Sequence, residues 1–401
     1  MTCKNCSKTF DVGEREREFL QRMDLPCPPS HCPPCRRQRR LAFRNERRLY
    51  YRQCDESGKK MISLYPQEGK KKITTFDQKV WWDETRWDPL KYGRDFDFNR
   101  PFFEQFAELK KGVPRPSLHN TNEENAQYGN HCVGNKDCYL NVGSDLCESC
   151  YYTYWAIRCR NCLDVSIAYD CELCYDCVDI RNCFNCYQVD NSEIMIDCQY
   201  SYNCKSCEDC FGCVGLRHKR YHFLNKQLSK EEYEYRIKYI QENPQAMDEF
   251  LKRYEELKKT AIYSANKNIQ SEEVSGDRLF RCRQCSNSFD LEKCDGVDYS
   301  SFGFEGVTSQ DVDFFGRSEM LYENFSAFGQ YNCVSTILCH YSHDVFYSEY
   351  CISSHHLLGC ISLHHKDYCI LNKQYSKEEY EKLSRKIILH MKQTGEWGEF
   401  F

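Results

Sequence analysis

The sequence predicts a mainly β protein with two narrow β-solenoids of 12-residue coils, an N-terminal zinc ribbon, helical caps and a helical linker. A 12-residue period of cysteines over residues 132–213, and a weaker period of the same length after residue 297, predict the solenoids. Two Cys-x2-Cys pairs near the N-terminus predict the ribbon. The predicted regions are 1–54 (ribbon and basic arm), 55–130 (Trp- and aromatic-rich cap), 131–228 (first solenoid), 229–275 (helical cap and linker), 276–375 (second solenoid) and 376–401 (C-terminal helix).

Composition narrows the class of protein. The 401 residues leave room for two or three domains, and the net charge of −5 excludes a wholly basic nucleic-acid coat. No run of 18 apolar residues occurs, so we expect no membrane span, and the N-terminus has no apolar segment typical of a secretory signal. Thirty cysteines in such a chain favour metal ligands or buried thiols in a reducing cytosol over a disulfide scaffold.

The central cysteines form two rows with a spacing of 12. A helical repeat needs roughly 20 to 47 residues, so 12 residues suit one coil of a β-solenoid, which we expect to have three short extended faces. Residues 12 apart would then stack at about 4.8 Å, and the narrow interior would admit small side chains such as Cys. The rows are Cys138, Cys150, Cys162, Cys174, Cys186, Cys198, Cys210 and Cys147, Cys159, Cys171, Cys183, Cys207, with Met195 in the gap of the second row.

The outer surface of this solenoid is predicted to be aromatic and acidic. Residues 131–215 contain 13 Asp or Glu and 5 Lys or Arg. One residue after each cysteine of the first row, an aromatic residue recurs, and we expect these rings to stack on an outer face. They are Tyr139, Tyr151, Tyr175, Tyr187 and Phe211.

The second solenoid is predicted to have a more aliphatic interior. Steps of 12 residues from Val297 give Ser309, Leu321, Cys333, Val345, Leu357 and Cys369. Steps from Gly303 give Phe315, Ala327, Cys339, Cys351 and Leu363.

Both predicted solenoids end in the same motif. Residues 216–234 match residues 363–381 at 14 of 19 positions, which suggests an internal duplication. Ser229 with Glu232, and Ser376 with Glu379, are predicted capping boxes that begin helices. We expect each motif to cover the unpaired edge of its last coil, and a second helix to follow at about 245–260.

The strongest site prediction is structural zinc bound by Cys3, Cys6, Cys32 and Cys35. Two Cys-x2-Cys pairs supply the four thiolates of a tetrahedral Zn²⁺ site, which leaves no open coordination position. Cys27 and His31 are spare candidates, but the Pro-rich run 26–34 favours Cys32 and Cys35. A redox Cys pair and an Fe–S site are the alternatives.

The cysteine rows leave a second metal prediction open. Pairs of the form Cys-x2-Cys-x8-Cys-x2-Cys could bind metal between neighbouring coils, although a row of buried thiols is the favoured interpretation. Disulfides between stacked coils are a further alternative, and Cys282/Cys285 would be half of a decayed or shared site. The candidate ligands are Cys147, Cys150, Cys159, Cys162, Cys171, Cys174, Cys183, Cys186, Cys282 and Cys285.

A basic arm follows the ribbon. Residues 36–52 contain eight Arg and one Glu, a pattern that suits phosphate recognition. The alternative is that these arginines dock on the protein and pair with its own acidic residues. They are Arg36, Arg37, Arg39, Arg40, Arg44, Arg47, Arg48 and Arg52.

Histidines are concentrated in the second solenoid. A 12-residue step places His343, His355 and Asp367 in one column, which could bind metal, although solvated surface histidines are the favoured interpretation. The other histidines here are His340, His356, His364 and His365.

Three motifs carry a family resemblance that spans the chain. They are residues 32–50, the run Asp-Phe-Asp-Phe-Asn-Arg-Pro-Phe-Phe-Glu-Gln-Phe at 95–106, and Asn-Lys-Gln-x-Ser-Lys-Glu-Glu-Tyr, which occurs twice. The sequence resembles cysteine-rich repeat proteins with an N-terminal zinc ribbon from candidate-phyla-radiation (Patescibacteria) bacteria. The resemblance implies no activity, and it implies that relatives continue past residues 395–401.

Three classes of function follow. The first is a non-enzymatic cytoplasmic scaffold that binds a macromolecule, and the second is an RNA- or ribosome-binding protein that uses the basic arm. The third is a redox or metal-binding protein that uses the thiols. No nucleophile–base pair, phosphate-binding loop or small-molecule site is evident, so an enzyme is the least favoured class.

Overall fold

A computed structural model describes residues 1–45, 47–69, 73–297, 299, 301–310 and 313–401; at 301–320 and 327 the description is of the backbone. Strands make up 32% and helices 22%, so the prediction of a mainly β chain is confirmed. The described part contains seven α-helices and two large sheets.

The N-terminal region is a mixture of short elements. Strands β1 and β2 form an antiparallel hairpin, and β3 pairs with β4 in parallel. The elements are α1 (Glu14–Arg22), α2 (Pro33–Leu41), β1 (Tyr50–Gln53), β2 (Lys60–Ser63), β3 (Thr75–Phe76), α3 (Gln78–Trp81), a 3-10 helix (Pro89–Tyr92), α4 (Phe102–Gly112) and β4 (Arg115–Pro116).

The next strands form what we call the first array, residues 120–227. Each parallel pair joins residues 12 apart, as in Asn120 with Cys132, Val165 with Cys177 and Cys210 with His222. The strands are β5 (Asn120–Thr121), β6 (Cys132–Val133), β7 (Tyr154–Ile157), β8 (Leu163–Tyr169), β9 (Tyr175–Arg181), β10 (Tyr187–Ile196), β11 (Gln199–Tyr202), β12 (Lys205–Phe211), β13 (Arg220–Phe223) and β14 (Lys226–Gln227).

A three-residue repeat underlies the 12-residue step. Every third residue has a left-handed backbone, as at Asn161, Asp164, Ile167 and Asp170, with φ between 50° and 56°. Each step therefore has four corners, and the expectation of three faces is wrong. Bends every third residue turn one side chain in three inward, which sets four inward positions per step.

The inward positions of the first array explain the cysteine rows. Cys150, Cys159 and Cys210 are each 0% exposed. A typical inward thiol lies within hydrogen-bond distance of two carbonyls: Cys147 Sγ is 3.5 Å from Asp145 O and 3.3 Å from Ala156 O. A thiol is small enough for this interior, and it can also donate a weak hydrogen bond to these carbonyl oxygens.

Two helices cover the end of the first array. Strand β14 turns back antiparallel on β13, and α5 (Lys230–Glu242) and α6 (Pro244–Lys259) follow. The predicted capping box of Ser229 and Glu232 is confirmed, with both reciprocal hydrogen bonds present. Side chains of both helices pack on aromatic residues of the last strands: Tyr233, Ile240, Phe250 and Tyr254 on Tyr200, Phe211 and Phe223.

The second array, residues 269–374, repeats this arrangement. Its first bridges, such as Ile269 with Phe280, join residues 11 apart, and the later pairs are 12 apart. The strands are β15 (Gly276–Phe280), β16 (Ser288–Glu292), β17 (Ser301–Gln310), β18 (Asp313–Tyr322), β19 (Phe325–Phe328), β20 (Tyr331–Val334), β21 (His343–Phe346), β22 (His355–Leu358), β23 (Asp367–Ile370) and β24 (Lys373–Gln374).

The predicted interior of the second array is confirmed where side chains are described. Leu321, Cys333, Val345, Leu357 and Cys369 are each 0% exposed. Cys339, Cys351 and Leu363 of the other predicted row are buried equally well. The predicted positions Ser309, Phe315 and Ala327 lie outside the described side chains.

A shared core joins the N-terminal region to the second array. It also includes α7 (Lys377–Thr394), whose predicted capping box of Ser376 and Glu379 is confirmed. The Glu396 carboxylate accepts hydrogen bonds from the backbone N–H groups of Phe102 and Phe103, the first turn of α4. The core includes Trp81, Phe102, Phe106, Leu109, Tyr322, Ile361, Ile370, Ile387 and Met391. In the described part of the chain, no helix is both long and apolar enough to cross a membrane.

The three-residue repeat predicts which substitutions at its corners are tolerated. Asn161 is exposed with φ 50°, so Asn161→Val should lower the free energy of unfolding by roughly 1–2 kcal/mol, because a β-branched residue is strained there. Ile194 has φ 57° and is 44% exposed, so Ile194→Asn should stabilise the protein. Thermal unfolding followed by circular dichroism measures both effects. Arg160→Val, at an exposed neighbour without positive φ, is the control; an equal loss there would contradict the four-corner geometry.

Candidate metal centre

Four cysteines from two segments meet near the N-terminus. Cys3 and Cys6 lie in a loop closed by a bridge between Thr2 and Thr9, while Cys32 and Cys35 lie at the start of α2. Pro33 occupies the first helical position, where its missing N–H costs nothing. The two segments thus bring together the four cysteines that the sequence predicts.

The spacing of the sulfur atoms fits a metal ion. All four Sγ atoms lie within 4.8 Å of one another, and the Cys6 and Cys32 sulfurs are 3.7 Å apart. A tetrahedral zinc with Zn–S bonds of about 2.3 Å places its sulfurs about 3.8 Å apart. The spacing therefore suggests a metal site, and its four soft donors are of the type that Zn²⁺ accepts.

The surroundings of the site favour at least one thiolate. Burial raises the pKa of Cys3, but hydrogen bonds from the backbone of Cys6, Cys32 and Asn5 outweigh it and lower the pKa to about 5. Burial and hydrogen bonds to the other three thiols raise the pKa of Cys32 to about 12. One thiolate in the cluster suppresses ionisation of its neighbours, so a bound cation is needed to hold all four as thiolates.

The site is held by contacts to both ends of the chain. The Arg36 guanidinium, 0% exposed, pairs with Glu16 of α1 at 2.9 Å and donates to the His31 carbonyl at 3.2 Å. Near the C-terminus, Glu399 accepts from Lys4 at 3.1 Å and from Ser30 at 2.7 Å. These contacts fix the two cysteine segments relative to each other.

The spare candidates lie outside the group. Cys27 is exposed. His31 Nδ1 lies 2.7 Å from Ser30 Oγ and 3.2 Å from Arg39, and burial, followed by the Arg39 charge, lowers its pKa. The group thus contains Cys32 and Cys35, which the Pro-rich run favours, and leaves out Cys27 and His31.

The candidate ligands in the arrays occupy inward positions and do not gather into a comparable group. In the part of the chain that is described, only one other set of three or more ligating side chains lies within 4.8 Å: His343, Asp344 and His356. The described array cysteines are buried and form no disulfides, and burial raises the pKa of thiols such as Cys132 and Cys177. The predicted ligands that belong to no such group are Cys147, Cys150, Cys159, Cys162, Cys171, Cys174, Cys183, Cys186, Cys282 and Cys285.

The basic arm is divided between buried and exposed arginines. Arg36 and Arg40 are 0% exposed and Arg52 is 4% exposed. Arg52 pairs with Asp55, and Arg39 with the buried Glu323 of the second array.

The other four arginines of the arm are more accessible. Arg44 is half-buried, whereas Arg37, Arg47 and Arg48 are exposed. The Arg47 guanidinium lies 4.7 Å from the Tyr154 ring centre, and the Arg48 guanidinium lies 5.5 Å from that of Tyr50.

A histidine cluster between the arrays was not predicted. The His119 ring centre lies 5.4 Å from that of His131 and 4.9 Å from that of His340. Burial lowers the pKa of His119 to about 4 and, together with the charge of His119, that of His340 to about 3. Burial also lowers the pKa of His131, as do His119, Arg44 and His340. The 12-residue spacing of His119 and His131 could have indicated that these two residues are neighbours. No spacing in the sequence brings His340, which lies in the second array, next to them.

No family model, curated protein or solved structure matches the chain. The functional argument therefore rests on the residues themselves.

Loss of one ligand should remove the metal from the N-terminal group. Cys35→Ser should reduce bound zinc by about one ion per chain and lower the thermal midpoint, because a structural zinc contributes directly to folding. Elemental analysis and thermal unfolding measure the two effects. Cys27→Ser is the matched control, since Cys27 is an exposed cysteine outside the group. Equal zinc loss in both variants would contradict the assignment.

The histidine cluster should make the protein sensitive to acid. The folded pKa of His119 is about 4 against an ordinary 6.5, so the unfolded chain takes up the proton first as the pH falls. The free energy of unfolding should be highest above pH 6.5 and decrease as the pH falls towards 4. Thermal midpoints across this window should fall less steeply in His119→Phe than in the parent protein. His218→Asn, at an exposed histidine, should leave the slope unchanged.

Proposed function

We propose that this protein is a non-enzymatic, zinc-containing β-solenoid scaffold that binds a macromolecular partner in the cytosol. The 12-residue register of both arrays and the regular inward positions support the solenoid. The four-thiolate group supports a structural zinc ribbon, because such a site has no open coordination position.

The observation that carries the proposal is an exposed apolar stripe on the first array. Tyr139, Tyr151, Leu163 and Tyr175 follow one another at 12-residue steps and are 37%, 43%, 37% and 44% exposed. The next member, Tyr187, stacks on Tyr175 with ring centres 5.4 Å apart. At about 4.8 Å per step, the four exposed members extend over about 14 Å. Contiguous exposed apolar side chains of this kind mark interaction sites.

The charge around the stripe suggests the chemistry of the partner. Residues 131–215 contain 13 acidic and 5 basic residues. Four of the basic residues already pair with acidic ones: Arg158 with Asp170, Arg160 with Glu148, Lys205 with Glu193, and Lys136 with Glu124. A partner that offers apolar side chains rimmed by basic residues would complement this surface.

Nucleic-acid binding through the basic arm has less support. Arg36, Arg40 and Arg52 are buried, and phosphate contacts require exposed guanidinium groups. The exposed arginines of the arm are Arg37, Arg47 and Arg48. If the protein nonetheless binds RNA, replacing these three by Ala should abolish salt-sensitive retention on it.

Charge placed in the stripe should weaken partner binding. In Leu163→Glu/Tyr175→Glu, two carboxylates would have to be desolvated at the interface, so we expect the affinity for the partner to fall about tenfold or more. The measurement is quantitative mass spectrometry of proteins retained from the native host lysate, followed by titration of the purified partner.

The matched control carries the same charge change elsewhere. Tyr235 and Tyr239 of α5 are 76% and 52% exposed and lie outside the stripe. Tyr235→Glu/Tyr239→Glu should bind the partner as the parent does, and circular dichroism should show all variants folded. If the stripe variant still binds the partner and the Arg37/Arg47/Arg48→Ala variant does not, the scaffold proposal is wrong and nucleic-acid binding replaces it.

A further inference from the structure

Three ligating side chains converge on the surface of the second array. His343 and Asp344 lie on β21 and His356 lies on β22, and their ligand atoms are within 4.8 Å of one another. Asp344 Oδ2 is 2.9 Å from His343 Nδ1 and 3.6 Å from His356 Nδ1. Their side chains are 41%, 30% and 33% exposed for His343, Asp344 and His356, so a dissolved ion can reach them.

The register of the array brings these residues together. Strands β21 and β22 pair with His343 opposite His355, so His356 lies one 12-residue step from Asp344. The column predicted from the sequence, His343, His355 and Asp367, differs from this group. In the structure the His355 ring stacks on the His343 ring with centres 3.8 Å apart and planes at 13°, so two rings of that column lie face to face.

Neighbouring groups hold each of the three side chains. His355 stacks on His343, and its Nδ1 accepts a hydrogen bond from the His343 backbone N–H at 3.3 Å. The Tyr368 ring stacks on His356 with centres 4.8 Å apart. Asn332 Nδ2 donates to Asp344 Oδ1, which leaves Oδ2 directed at the two imidazoles. Such outer contacts orient the ligands of protein metal sites.

A cavity adjoins the group. It has a volume of about 240 Å³, and Asp344 and His356 form part of its wall together with Tyr380 and Ser384. Apolar side chains, including Phe346 and Leu358, complete the lining. The volume exceeds the roughly 30 Å³ that one water molecule occupies in the liquid, so a small ligand could enter beside a bound ion.

We propose that His343, Asp344 and His356 form a second metal site, which binds Zn²⁺ or a neighbouring first-row divalent ion. Two imidazoles and one carboxylate are a donor set that such ions accept, and three protein ligands leave at least one coordination position open. The open position takes water or a small oxygen-donor ligand from the cavity. This site differs from the four-cysteine group in its donors, in its exposure and in its open coordination.

Cobalt(II) titration of the full-length protein tests the site. Zinc-loaded protein is first dialysed against a weak chelator, and Co²⁺ is then added while binding is followed by calorimetry and absorption. We expect one equivalent to bind with weak d–d bands and without a thiolate-to-cobalt charge-transfer band, since the ligands are nitrogen and oxygen. Cys35→Ser should retain this equivalent, so failure of the zinc-ribbon proposal is distinguishable from failure of this one.

A matched pair of variants locates the ion. His356 and His365 both have left-handed backbones, with φ 55° and 49°. The substitution His→Asn therefore has a similar effect on the backbone at both positions. His356→Asn should weaken Co²⁺ binding at least tenfold, Asp344→Asn should do the same, and His365→Asn should bind as the parent does. Unchanged binding in His356→Asn, or the absence of a thiolate-free equivalent in the parent protein, would overturn the proposal.

Discussion

The narrow interior of the two arrays is the constraint on which the rest of the structure depends. In the first array, a left-handed residue at nearly every third position turns the chain four times in 12 residues, and each turn directs one side chain inward; the described coils of the second array show the same pattern. In the first array this cross-section holds mainly Cys with some Ala, Val and Ser, and a thiol there also lies within hydrogen-bond distance of two carbonyls. The abundance of cysteine in the central rows therefore follows from packing, without any need for metal in the interior.

This constraint also accounts for the distribution of chemistry on the molecule. Since the interior holds mainly thiol and apolar side chains, charged groups and the two compact groups of possible metal ligands are found at the N-terminal region and on outer faces. The four-cysteine group lies where both chain ends contact α2, through Glu16 and Glu399. The His343, Asp344 and His356 group lies on the outer surface, where residues one step apart on neighbouring strands come into contact.

The sequence predicted those features whose signal is local or periodic. The spacing of Cys147, Cys159 and Cys171 gave the register, and two Cys-x2-Cys pairs gave the metal group. The three-residue repeat was missed because its left-handed corners hold varied residues, including Leu173 and Ile194 besides Asn and Asp. The burial of Arg36, the cluster of His119 with His340, and the contact of Arg39 with Glu323 depend on packing between distant segments, which no spacing reports.

The fixed register has a consequence for how the length of such a chain can change. Removing or adding 12 residues within an array returns every later side chain to its former column, so whole repeats can be gained or lost while the interior stays intact. A change of one residue has to be absorbed at a corner, as in the second array, where Cys282 N–H donates to Ser271 Oγ across 11 residues and Cys282 stays buried. Among the described bridges, the spacing of 11 residues, Ile269 with Phe280 and Glu272 with Arg283, occurs at the first rung of the second array, where no earlier rung of that stack has to stay aligned with it.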